Sequence, residues 1–193
     1  MILEILGKFN FLDYIILIVL FRICYIAAKT GLSVEIFKFF GVIFAVYIAL
    51  HYYTTLSIFI QSRFMPKELV LGFMNFIIFL FLVLLGCSCF VVLRIALSRF
   101  IQLNALPKIS QFLGLVLGMG RGFLIIGLLS FVLFISNVTY LSNSVKRSYL
   151  GSKTFVILPQ TYGWLWNNIF SKFSHEEKFN PAVTQITEKF NHK

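Results

Sequence analysis

Acidic residues are scarce in this 193-residue chain: 7 Asp and Glu stand against 17 Lys and Arg, and charged residues make up only 12% of it. A soluble domain carries about a quarter charged residues, so this composition excludes an ordinary soluble fold. The sequence also lacks every motif that would signal chemistry. It has no phosphate-binding glycine loop of the Walker type, no Gly-x-Ser-x-Gly, no His-Glu-x-x-His and no paired carboxylates. No enzyme activity, catalytic residue or cofactor is therefore expected. Cysteines number only 3, all inside apolar runs. Cys87 and Cys89 are two residues apart, which on a helix points them to different faces and is no metal spacing, so no metal site is expected and they read as small apolar packing residues. No Ala-x-Ala cleavage site follows the first apolar run, and that run is expected to stay in the protein.

What is present is apolar bulk. Hydrophobic residues make up 59% of the chain and mean hydropathy is +0.90. A soluble core of this size could not hide that surface, so the chain reads as an integral membrane protein. The expected fold is all-α: an antiparallel bundle of four transmembrane helices within residues 1–140, then a tail over 141–193. Spans fall at about residues 12–28, 36–56, 69–93 and 112–138, each near or above the roughly 17 residues that cross hydrocarbon. Short polar breaks separate them: Thr30 to Ser33, then Gln61 to Pro66, then a stretch ending at Lys108. Connections this short predict consecutive helices side by side. Asp13, Glu35 and Glu68 stand near the starts of the first three spans, where they complement exposed N–H groups.

The net charge of +10 is spread over connections and tail rather than gathered in a groove with exposed aromatics, so no nucleic-acid partner is expected. Anchoring at anionic headgroups of the bilayer accounts for it, each near-surface cation contributing about 1 kcal/mol. Basic residues divide almost evenly between the two sides, which leaves orientation open.

Residues 113–122, LGLVLGMGRG, carry the most information. Gly114, Gly118 and Gly122 recur every fourth residue and form one small-residue ridge on a helix, with Arg121 beside it. Such a ridge lets another helix approach closely, and in lipid that packing drives association. Arg121 is about ten residues into its span, roughly 15 Å deep, where an unpaired arginine costs about 2.5–3.5 kcal/mol. Two roles fit: tying helices together through carbonyls or an acid, or contacting an anion or lipid phosphate. An antiparallel arrangement leaves a gap of about 10 Å along the axis between Arg121 and Asp13. Asp13, Cys24, Ala27, Ala28 and Gly31 form a smaller-residue face on span one, a docking surface for span four. Arg22, on the opposite face, reads as an interface anchor.

His51, next to Tyr52 and Tyr53, reads as part of an aromatic belt, and Asn75 as a hydrogen bond between helices. In the tail, Pro159 is expected to end a helix. Beyond it, Tyr162, Trp166, Ile169, Phe170 and Phe173 share one face of a helix over about residues 160–173, which suits the bilayer interface or a partner protein. Residues 174–193 are polar and expected to be loosely ordered.

The order and spacing of these pieces resemble the colicin V production protein family of bacterial inner-membrane proteins. The resemblance rests on Asn10-Phe11-Leu12-Asp13-Tyr14, Gly31 and Glu35, His51-Tyr52-Tyr53-Thr54, Leu113-Gly114, Gly118, Arg121-Gly122 and Ile157-Leu158-Pro159. It implies a four-span inner-membrane protein needed for production or export of a peptide toxin, and it supplies no catalytic residue or cofactor. By its position in the family pattern, the resemblance implies Asp13 as the acidic partner of Arg121. The chain departs from that pattern at Thr30, at Ser110-Gln111 and at Arg22. The expected mechanism is contact between helices, with other membrane proteins or a second copy as partners and Gly114, Gly118, Arg121, Gly122, Asp13 and Gly31 as the packing or partner surface. The alternative is a small oligomeric transporter or channel subunit for an anion or other small solute.

Overall fold

A computed structural model describes residues 9–64, 71–97, 107–136, 138–173 and 177–191, and the described residues are helical with no strand. Four long helices, α1 (Phe11–Thr30), α2 (Leu32–Phe64), α3 (Leu71–Leu97) and α4 (Pro107–Ile135), are each long and apolar enough to cross a membrane. Mean hydropathy in their best windows runs from 1.9 to 3.1. Glu68 and Pro66 lie outside the described residues.

Local chemistry sets the helix ends. Asn10 caps α1, and the Asp13 carboxylate in turn accepts the Asn10 N–H at 2.8 Å, a reciprocal box that satisfies exposed donors at a helix start. Gly31 ends α1 at φ +73°, a left-handed conformation that favours glycine. A single residue therefore turns the chain from α1 into α2. Ser110, in the first turns of α4, accepts the Leu32 N–H at 3.0 Å and fastens α4 to this junction.

The glycine ridge decides the packing. A Cβ on Gly114 would lie 2.9 Å from the Gly31 carbonyl carbon, one on Gly118 2.2 Å from the Ala27 Cβ, and one on Gly122 2.8 Å from a Leu20 methyl. These pairings run in opposite directions, so α1 and α4 are antiparallel and in close approach. Of the consecutive pairs, α2 and α3 pack most extensively, as expected, and the other two do not. α1 lies mainly along α4 and meets α2 only slightly, while α2 packs on both α3 and α4. The reason is that α4 offers α1 a surface without side chains. Likewise Gly86 on α3 sits against the Ala45 backbone of α2, and Gly41 against Phe90. Ser57 donates to Asn75 Oδ1 across the α2–α3 seam. Outward faces are apolar, as at Ile18 and Phe21 of α1 and Leu84 and Val92 of α3, which suits lipid.

The C-terminal part departs from expectation in two ways. After α5 (Thr139–Arg147), α6 spans Tyr149–Asn168 and continues through Pro159. A proline inside a helix costs about 3 kcal/mol. Buried side chains on both sides of it, Thr154, Phe155 and Leu158 before and Tyr162, Leu165 and Trp166 after, hold one continuous face against the bundle and outweigh that cost. Thus Tyr162 and Trp166 face protein, whereas Trp164 and Phe173 face outward. The polar end is not loose either. A helix α7 covers Pro181–Asn191, with Val183 buried and the Phe190 ring stacked on Phe155 at 4.1 Å.

Candidate functional site

Two buried polar clusters lie within this frame. The first joins α1, α2 and α4 near Gly31. Arg121 Nη1 stands 3.0 Å from Glu35 Oε2, and the Glu35 side chain has no exposure at all. Glu35 Oε1 accepts from Lys38 Nζ at 2.7 Å and from the Thr30 hydroxyl at 2.8 Å. Glu35 is thus the acid that neutralises Arg121, and Asp13 is not. The geometry explains why. Gly122 meets Leu20 across the α1–α4 contact, so Asp13 lies at least seven residues, about 10 Å, farther along the axis. Glu35, in the first turn of α2, is carried around by the one-residue turn at Gly31 until it lies within reach of the arginine. The ion contact satisfies charge without completing every hydrogen bond, since Arg121 Nε has no partner among the described residues.

Asp13 has a different task. Its carboxylate accepts from the Ser148 hydroxyl at 2.7 Å and the Leu150 N–H at 2.8 Å on Oδ1, and from Tyr149 N–H at 3.2 Å on Oδ2. Together with the Asn10 N–H, these make one carboxylate serve the N-termini of both α1 and α6. Negative charge is favourable at both positions. Ser148 completes the arrangement by accepting the Gly151 N–H at 2.8 Å.

The second cluster pins the C-terminal segment onto α2. Asn180 Nδ2 donates to the Leu50 carbonyl at 2.7 Å and to Thr54 Oγ1 at 3.1 Å. Its backbone N–H donates to the Tyr162 oxygen at 3.1 Å. The same oxygen lies 2.8 Å from His51 Nδ1. Glu177 Oε2, which can only accept, lies 3.3 Å from His51 Nε2 and favours the proton of the neutral ring there, so that Nδ1 accepts from the phenol O–H. Tyr52 donates to the other Glu177 oxygen at 2.8 Å. Burial pushes the Tyr162 hydroxyl up to about 12, with nearby Glu177 adding to the effect and the Asn180 N–H opposing it, so it stays a donor at neutral pH. His51 is therefore more than a belt residue. Glu177 and Asn180 escape a reading of the sequence because they sit in a polar tail far from His51, and Tyr162, legible only as part of an aromatic face, gives no sign of its tie to His51. The available signal is Asn180-Pro181, a pair that marks a helix start.

Of the residues singled out in the sequence, Gly31, Gly114, Gly118 and Gly122 meet along one seam and Arg121 lies beside it. Asp13 stands apart at the other end of α1. Among the described residues no group of three His, Cys, Asp or Glu is placed to hold a metal. No curated protein and no solved structure matches the chain. The family model described as Colicin V production protein matches residues 12–156. That segment includes Asp13, Glu35, His51, Arg121 and the glycine ridge, and ends before Tyr162, Glu177 and Asn180. With four apolar helices and a match over well more than half its length, the chain belongs to the colicin V production protein family.

Proposed function

We propose that this protein is a non-enzymatic component of the bacterial inner membrane that supports production or export of a peptide toxin, and envelope maintenance, by contacts between its helices and those of other membrane proteins. The observation that carries this reading is that its buried acids and its small-residue ridge are engaged within the chain. Arg121 pairs with Glu35, Asp13 is consumed by helix ends, and the glycine ridge is occupied by α1 of the same chain. With these groups engaged internally, what α1 and α3 offer outward is apolar surface. Its outward apolar faces on α1 and α3 are left for lipid or for a partner.

The test is photo-crosslinking in native membranes of toxin-producing bacteria, with a crosslinking side chain at Ile18, or at Leu84, followed by mass identification. Recovery of one distinct membrane protein from one of these faces supports the scaffold. Recovery of only a second copy, with anion flux through the purified protein in proteoliposomes, would replace it by the transporter reading.

A further inference from the structure

The cavity beside Arg121 is amphiphilic. It has a volume of about 190 Å³ and is lined by Arg121 and Lys38 together with Gly41, Cys87, Phe90 and Val91 among others. Val91 is exposed and Lys38 partly so, so the cavity opens on the outer surface between α2 and α3. A second cavity of about 260 Å³ continues from it, sharing Cys87 and Ile125, and is lined only by apolar residues of α3 and α4 as far as Phe79 and Val132. Eleven residues separate Arg121 from Val132, so the combined groove runs about 16 Å along the axis. It follows the seam between α3 and α4, which touch each other far less than each touches α2.

The charge at the mouth is unbalanced. Arg121 and Lys38 both lean on the single carboxylate of Glu35, leaving one net positive charge. Arg121 is 7% exposed, and its Nε has no partner among the described residues. A second anion at the mouth would complete the charge balance. Lys38 stands about two turns from the start of α2, and basic pockets between spanning helices hold headgroup phosphates.

We propose that this groove binds an anionic phospholipid, its phosphate at the end lined by Arg121 and Lys38 and one acyl chain between α3 and α4. Inorganic phosphate shares the anionic chemistry but would not use the apolar groove. The inference is independent of any protein partner.

The test uses the full chain in detergent, with bound lipid counted by native mass spectrometry and folding followed by thermal denaturation. Phosphatidylglycerol is expected to bind more tightly than phosphatidylcholine, and millimolar inorganic phosphate is expected not to displace it. Lys38→Ala should weaken phosphatidylglycerol about fivefold, the contribution of roughly 1 kcal/mol from one near-surface cation. Cys87→Phe, which fills the junction of the two cavities, should lose both lipids. Equal binding of the two lipids by wild type and Lys38→Ala overturns the proposal. So does displacement by inorganic phosphate, which would make the mouth a site for a solute anion. If Cys87→Phe fails to fold, the Lys38→Ala comparison decides alone.

Discussion

Gly118→Ala adds one methyl group at the tightest point of the molecule. The new Cβ would lie 2.2 Å from the Ala27 Cβ, whereas carbon atoms rest at about 3.5–4.0 Å. Relief requires α1 and α4 to separate by more than 1 Å or so. Gly114 and Gly122 lie on the same seam, so the whole contact loosens at once. Overpacking of this kind costs about 1–3 kcal/mol, even though alanine is the better helix former by up to about 1 kcal/mol. Thermal denaturation in detergent is the assay, with Gly163→Ala as control, because a Cβ there meets nothing within 4 Å. Gly118→Ala should melt well below wild type and Gly163→Ala at or above it. The double change Gly118→Ala with Ala27→Gly exchanges the methyl group between the helices and should recover part of the loss. A stable Gly118→Ala protein, or a double variant no better than the single, would refute the reasoning.

Other outcomes follow from the same contacts. Asp13→Asn keeps the shape but removes the charge shared by two helix starts. It should cost about 1.5–3 kcal/mol, the worth of hydrogen bonds to a charged group, and hydrogen exchange should show the loss at the start of α6. Asn180→Ala removes the donor to Leu50 and Thr54 and should expose the tail to protease ahead of global unfolding. Because the Tyr162 pKa is raised from 10.0 to about 12, its stabilising contribution is complete below pH 10 and fades as pH rises toward 12. Tyr162→Phe should abolish that part of the alkaline loss in a pH series of melts.

Helices and their close contact were legible because they depend on local periodicity. Four apolar runs of sufficient length and glycines at every fourth position announce themselves without a partner. Pairing across helices was not legible. Glu35 reads as a dipole complement at a helix start, and only the one-residue turn at Gly31 and the depth of Arg121 bring the two together. Register between helices distant in sequence leaves no periodic trace. Pro159 misleads for a related reason: its local cost is plain, but the buried face that overrides it depends on α4 and α2. The tail misleads by composition, since Asn180 and Glu177 act through α2 residues more than a hundred positions earlier.

A double-mutant cycle on Arg121 tests the central claim, that this arginine is neutralised inside the chain by Glu35. Arg121→Leu alone leaves a buried carboxylate with one cation fewer and should cost about 3–5 kcal/mol. Adding Glu35→Leu should return much of that loss, while adding Asp13→Leu should only compound it. Strong coupling to Glu35 and additivity with Asp13, read from unfolding in detergent, is the predicted result. Additivity with Glu35, or coupling to Asp13 instead, would contradict the account.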